Sequence, residues 1–222
     1  MTIWLTRPRE QSEAFAASLG RPVIIAPVTH ITYRTPVIEG VYDAVITTSP
    51  HGAVGVKDYH DLPLYTVGDA SAEAARKQGF KLVLPIAQDA AGLAAMIVVA
   101  HSTPSRFLYL SGAETRIDMK RLIESQGHSV TQIITYEAIP ETQLAPELLT
   151  RWEEISGVVF MSVGAVKAAQ ALITRDVSQI HAFCISAAVA AAAGALPWKA
   201  IHVSESPVQQ SLIALINTTI TA

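Results

Sequence analysis

Two flavodoxin-like, doubly wound α/β lobes with parallel sheets, joined by two extended connectors, are the fold this sequence predicts. Three observations predict it. Short, continuously apolar runs alternate with helical stretches, which argues for parallel strands and right-handed crossovers. The order of these runs is written twice along the chain. Two stretches rich in Pro, Thr and Glu break the rhythm at matching places, Thr29–Gly40 (THITYRTPVIEG) and Glu137–Glu147 (EAIPETQLAPE).

Taken in order, the first half offers strands at Thr2–Thr6 (TIWLT), Pro22–Pro27 (PVIIAP), Asp43–Thr48 (DAVITT), Leu64–Gly68 (LYTVG) and Lys81–Pro85 (KLVLP). Unbroken apolar character is what a strand needs when helices cover both faces of its sheet. The spacing predicts helices over REQSEAFAASLG, HGAVGVKDY, ASAEAARKQG and AAGLAAMIVVA. The second half answers with RFLYLSG, HSVTQIITY, GVVFMS, HAFCIS and KAIHVS, and with helices over IDMKRLIESQG, AAVAAAAGAL and PVQQSLIALI. Gly20 and Gly127 stand where left-handed helix caps belong. YDAVITTSPHGA (Tyr42–Ala53) and SGVVFMSVGAV (Ser156–Val166) both read as a buried strand ending in Ser just ahead of a helix. Plain duplication would cut the chain near Thr103. Two connectors at equivalent positions predict instead that each half sends its last three strands into the other lobe. One lobe is then discontinuous, residues 1–34 with 139–222, and 35–138 is inserted.

Composition narrows the function classes. Half the residues are hydrophobic and 16% are charged, which describes a folded domain and excludes disorder. A net charge of −3 gives no footprint for nucleic acid. AAGLAAMIVVA and AAVAAAAGALPW stop short of the roughly 20 residues a bilayer span needs, and MTIWLT before Arg7 is too short for a signal-peptide core. A cytoplasmic chain that meets no membrane is the expectation. The only cysteine, Cys184, lies in the apolar HAFCIS and reads as a buried strand residue rather than a reactive thiol. The seven histidines never fall at ligand spacing, so no metal is expected.

In a doubly wound sheet, ligands bind beyond the carboxyl ends of the strands. Those ends are Thr6–Pro8, Thr47–Pro50, Val67–Ser71, Leu110–Glu114, Met161–Gly164 and Cys184–Ala188. All are small, hydroxylated or glycine-bearing. They put N–H groups and hydroxyls at helix N-termini, where anions are favoured, although the same residue types cap helices without any ligand. Arg7 fits a carboxylate clamp and a solvated surface arginine equally well. Arg116 falls in the first turn of its helix, a slightly unfavourable place for a cation, which hints at a ligand role. Tyr136, at the threshold of the second connector, fits both linker packing and a proton donor. There are no paired carboxylates, nucleophile elbow or phosphate loop, so the residues alone describe a two-lobed α/β binder of an acidic molecule.

The order of the turns resembles the uroporphyrinogen-III synthase family over nearly the whole chain. The matching strings are LTRPREQSEAFAASLG, ITTSPHGAV, YTVGDASAEAARKQG, LSGAETRIDMKRLIESQG and ITYEAIP. The resemblance implies the HemD-like fold, two flavodoxin-like lobes with a pair of extended connectors, one lobe discontinuous. It implies a cyclising lyase that closes hydroxymethylbilane into uroporphyrinogen III, inverting ring D through a spiro intermediate with loss of water, without metal or organic cofactor. It also implies a monomer, with hand-over of the bilane from hydroxymethylbilane synthase. Tyr136 matches the family's tyrosine, proposed as general acid for the departing hydroxyl; a phenol of ordinary pKa, about 10, is protonated at neutral pH. Thr48, Ser49, Gly68, Ser71, Ser111, Gly112 and Ser162 match positions that bind substrate, and Arg7, Arg116 and Ser186 join them as expected contacts.

Three departures stand out. Val163 replaces the proline of a second TSP, SAAVA replaces a GPTTA-like turn so that Ser186 stands for glycine, and Ser111 sits where an arginine is common. A flavodoxin or receiver module is disfavoured, because TRPRE lacks a phosphate loop and TTSP lacks a phosphoacceptor Asp. A non-catalytic two-lobed binding protein for an acidic metabolite is the alternative.

Overall fold

A computed structural model describes residues 1–115 and 117–220, the side chains of Pro85 and Ile86 excepted. Strand β1 (Thr2–Leu5) is buried along its whole length. Helix α1 (Arg9–Leu19) follows and stops at Gly20, whose φ of 68° is the left-handed cap expected there. Then come β2 (Val23–Ile25) and β3 (Thr29–Tyr33), the latter inside the stretch expected to be only a connector. Next are β4 (Ala44–Thr47), β5 (Pro63–Val67), α2 (Gly68–Lys77), β6 (Leu82–Ala87) and α3 (Ala90–Ala100). The second half contributes β7 (Arg106–Gly112), α4 (Met119–Glu124), β8 (Ser129–Pro140) and α5 (Pro146–Thr150). It closes with β9 (Ile155–Phe160), α6 (Val163–Leu172), β10 (His181–Cys184), α7 (Ala187–Ala193), β11 (Ala200–Val203) and α8 (Gln209–Thr219).

These strands form two sheets, in the orders β11-β10-β9-β1-β2 and β3-β8-β7-β4-β5-β6. The first two strands of each half sit in one sheet and the last three in the other. Counted within its repeat, each sheet carries the flavodoxin-like order 2-1-3-4-5, with β3 added at the edge beside β8. Each pair whose register is known is parallel: β1 with β2 and β9, β10 with β9 and β11, β4 with β5 and β7, β5 with β6, and β7 with β8. The chain divides into two compact units, Met1–His30 with Ile139–Ala222, and Ile31–Ala138.

Alternation along the strands decides which core each residue enters. In the second unit Ala44, Ile46, Phe107 and Tyr109 pack on one face, with Leu93 and Ile97 of α3 and Met119 and Ile123 of α4. Val45, Leu64, Leu108 and Leu110 pack on the other, with Ala72 and Ala75 of α2. The first unit has one continuous core around Trp4, Phe15, Phe160 and Phe183. Cys184 belongs to it, fully buried, and burial pushes its thiol up to about 12, the strand role its sequence context suggests.

One expected element is absent. HGAVGVKDY forms no helix; residues 50–55 run through successive tight turns, with Gly52, Val54 and Val56 donating to the carbonyls three residues earlier. Two glycines explain it. Gly55 takes a φ of 77°, outside the helical region. Gly52 is pressed so close to the sheet that a Cβ there would overlap Thr47 Oγ1 and lie 2.8 Å from the Leu110 carbonyl oxygen.

Candidate functional site

Three neighbouring parallel strands, β7, β4 and β5, bring their carboxyl ends to one edge of the second unit's sheet, level with the last pair of β8 with β7. That edge gathers Tyr136, Ser111 with Gly112, Thr48 with Ser49, and Gly68 with Ser71. Gly68 opens α2 with a φ of 64°, and Val67 before it has no side chain able to cap. The first-turn N–H groups of α2 therefore lack a side-chain acceptor from the N-cap position, the usual arrangement that favours an anion. Thr48 Oγ1 lies 3.3 Å from Tyr109 Oη, whose pKa is raised by burial and by the neighbouring Tyr136, the Thr48 contact working the other way.

Tyr136 owes its place to a bulge. The β7–β8 register runs Ser111 to Ile134 and then Gly112 to Tyr136, which leaves Thr135 as the extra residue. Bulges twist a strand and re-aim the side chain that follows. Thr135 is fully buried, and its hydroxyl donates to the Gly52 carbonyl at 2.8 Å. The turn after β4 is thus tied to the strand that carries Tyr136. Gly112 completes the fit: a Cβ there would stand 2.7 Å from Tyr136 Cζ. Just past β3, Arg34 donates its N–H to the Thr135 carbonyl at 2.7 Å and pairs with Glu137 at 2.8 Å.

The first unit has its own polar edge, at the ends of β1, β9 and β10. Thr6 Oγ1 donates to the Val159 carbonyl at 2.6 Å, and Arg7 Nη1 lies 3.3 Å from Met161 Sδ. Ser162 caps α6, accepting from the Ala165 N–H, and Ser186 caps α7, accepting from Val189. Arg7, Ser162 and Ser186 therefore follow the ends of three adjacent strands, β1, β9 and β10.

The expected site residues fall into two groups, one on each unit's strand-end edge. Ser111 is buried, and its hydroxyl accepts from Gln132 Nε2 at 2.9 Å. Arg116 lies outside the described residues. Ser49 follows β4 without capping a helix; its hydroxyl accepts the His51 N–H, at 3.3 Å. Sequence reasoning misses Thr135 and His51, which adjoin Tyr136, and Tyr33, which bonds to His51. His51 stands inside the TSPHG string itself, but no local signal marks a residue whose partners lie on other strands.

Each sheet is doubly wound α/β, and each strand-end edge carries backbone N–H groups and hydroxyls that favour an anion, with Tyr136 on the edge of the second unit. The family model described as uroporphyrinogen-III synthase HemD matches residues 10–214, and the chain belongs to that family. No curated sequence matches it. Among solved structures, uroporphyrinogen-III synthetase from Helicobacter pylori is similar with a TM-score of 0.71 at 15% identity, over 99% of both chains. A mutant uroporphyrinogen III synthase from the extremely thermophilic bacterium Thermus thermophilus gives 0.48 at 15% identity, over 98% of both chains. At 15% identity the Helicobacter pylori structure speaks to the fold alone. The family makes the chain a cyclising enzyme of tetrapyrrole biosynthesis.

Proposed function

We propose that this chain closes hydroxymethylbilane to uroporphyrinogen III as a cyclising hydro-lyase, with Tyr136 as the proton donor to the departing hydroxyl. The bilane is already reactive: when its hydroxyl leaves as water, an azafulvene remains. Unguided closure of that electrophile gives the symmetrical type I isomer. The enzyme's task is to direct attack through the substituted position of ring D, so that a spiro intermediate forms and the ring inverts. Holding a reactive chain in one geometry is mostly positioning, and a rim poor in acid–base groups suits it.

The position of Tyr136 carries the reading. It is half-buried where β8 leaves β7, held between the Gly112 backbone and the turn after β4, and it is the tyrosine that matches the family's. Thr48, Ser49, Gly68 and Ser71 in one unit, and Arg7, Ser162 and Ser186 in the other, are the proposed carboxylate contacts, with Gly112 giving close backbone approach. Ser111, its side chain buried, contributes backbone only. A cytoplasmic monomer that takes the bilane directly from hydroxymethylbilane synthase belongs to the same reading, since a substrate that closes by itself is best passed over a short path.

The experiment is isomer analysis after adding hydroxymethylbilane to the purified chain. Type III product in excess, formed faster than spontaneous closure, is expected. Only type I isomer at the spontaneous rate would contradict the proposal and leave a binding protein for an acidic metabolite.

A further inference from the structure

Three aromatic side chains from three separate segments form a relay of contacts, Tyr33 to His51 and His51 to Tyr136. His51, in the turn after β4, has its ring centroid 5.4 Å from that of Tyr136, the planes tilted by 53°. Its Nδ1 lies 2.9 Å from the hydroxyl of Tyr33, at the end of β3, whose ring centroid is 5.9 Å away. When the Tyr33 phenol donates, Nδ1 is the acceptor and a neutral imidazole keeps its proton on Nε2. The backbone of His51 is fixed as well. Its N–H donates to Ser49 Oγ and its carbonyl accepts from Val54. Tyr33 is fixed in turn by its neighbour Arg34, which is bonded to Thr135 and Glu137 on either side of Tyr136.

We infer that Tyr33 and His51 are a positioning pair for Tyr136: the imidazole, oriented by Tyr33, holds the Tyr136 ring against the Gly112 backbone so that its phenol stays aimed at the substrate. The inference rests on the reading of Tyr136 as proton donor. A tyrosine ring at the last pair of β8 with β7 can turn about two side-chain bonds. Gly112 removes one obstacle but supplies no side chain to stop the ring swinging. His51 supplies that stop, and the Tyr33 bond keeps His51 itself from turning away. A group held in the reacting geometry gains rate without gaining affinity, so the pair acts on kcat.

The test uses the full chain with hydroxymethylbilane, reading kcat, KM and the type III fraction, with thermal melting to verify folding. His51→Ala is expected to lower kcat about tenfold with KM unchanged. His51→Phe, which restores a ring, is expected to recover most of that loss. Tyr33→Phe removes only the hydrogen bond and is expected to give a smaller fall in kcat, again at unchanged KM; it decides the matter should His51→Ala fail to fold. In a Tyr136→Phe background, His51→Ala is expected to add nothing. A kcat loss of the same size in both backgrounds, a change confined to KM, or full kcat in both His51→Ala and Tyr33→Phe overturns the inference. Full turnover by Tyr136→Phe overturns the underlying reading instead, so the two failures are distinguishable.

Discussion

The strand ends at Thr47–Pro50 and Met161–Gly164 read alike in sequence but are built for different purposes. Ser162 leaves β9 in extended conformation, caps α6 and is followed by a helix of ten residues. Its end of the sheet is a helix N-terminus, suited to a carboxylate. Ser49 leaves β4 into tight turns with no helix behind it. Those turns press Gly52 onto Thr47 and Leu110, offer the Gly52 carbonyl to Thr135, and put the His51 ring beside Tyr136. One copy presents N–H groups and the other positions a side chain. The residues after the serine make the difference: VGAVKAAQAL continues a helix, whereas PHGAVG carries Gly52, pressed against Thr47 and Leu110, and Gly55, whose φ leaves the helical region.

The largest effect expected from this contrast is at Gly52. Gly52→Ala should cost at least about 1–3 kcal/mol, because neither Thr47 nor the Leu110 backbone can withdraw. Gly164→Ala, in the exposed first turn of α6, should instead stabilise by about 0.5–1 kcal/mol. Denaturant midpoints of the two variants should move in opposite directions, and equal shifts would erase the distinction. Gly112→Ala comes next. Its methyl group meets the end of a side chain that can swing aside, so the chain should still fold while turnover falls about tenfold as Tyr136 is displaced. A smaller difference separates the serines. Ser162→Ala should lose about 1 kcal/mol of helix capping, and Ser49→Ala should stay within about 0.5 kcal/mol.

The gentlest expected effect is pH dependence, and it compares the units again. In the second, His101 is held below the usual histidine range by burial, then by His128, with Asp43 opposing; it touches Tyr65 and Ser105. In the first, burial lowers both His181 and His202, whose facing nitrogens, 2.8 Å apart, share one hydrogen bond. The unfolded chain therefore binds protons first as pH falls. Stability is complete above about pH 6.5 and declines as pH drops through the lowered folded-state values. Urea midpoints at pH 7.5 and 5.5 should show this loss, and His101→Gln should shrink it.

Much of this architecture is legible without coordinates. Apolar runs such as TIWL and AVIT stand between Pro, Gly and Thr, and connectors at matching positions point to the exchange of strands between sheets. β3 is harder to see, because THITY at a sheet edge is largely polar and lies between Pro27 and Pro36. α5 hides in the second connector, where only Pro146 at its first turn marks a start. The helix expected after Ser49 fails in part for a non-local reason, the approach of Gly52 to Leu110 on another strand, beside the left-handed φ of Gly55. The same holds for Tyr136 and its neighbours. A tyrosine at the threshold of the second connector can be read from the chain, but a bulge at Thr135 and a histidine from a distant turn depend on pairing that no short window contains.

The central claim is that Tyr136, held in place by the turn after β4, supplies the proton that starts closure. Replacing Tyr136 by Phe removes that proton and keeps the ring, so the thermal transition should stay put. Type III product should then form at least about tenfold more slowly. An unchanged rate of type III formation by the folded Tyr136→Phe chain would contradict the claim.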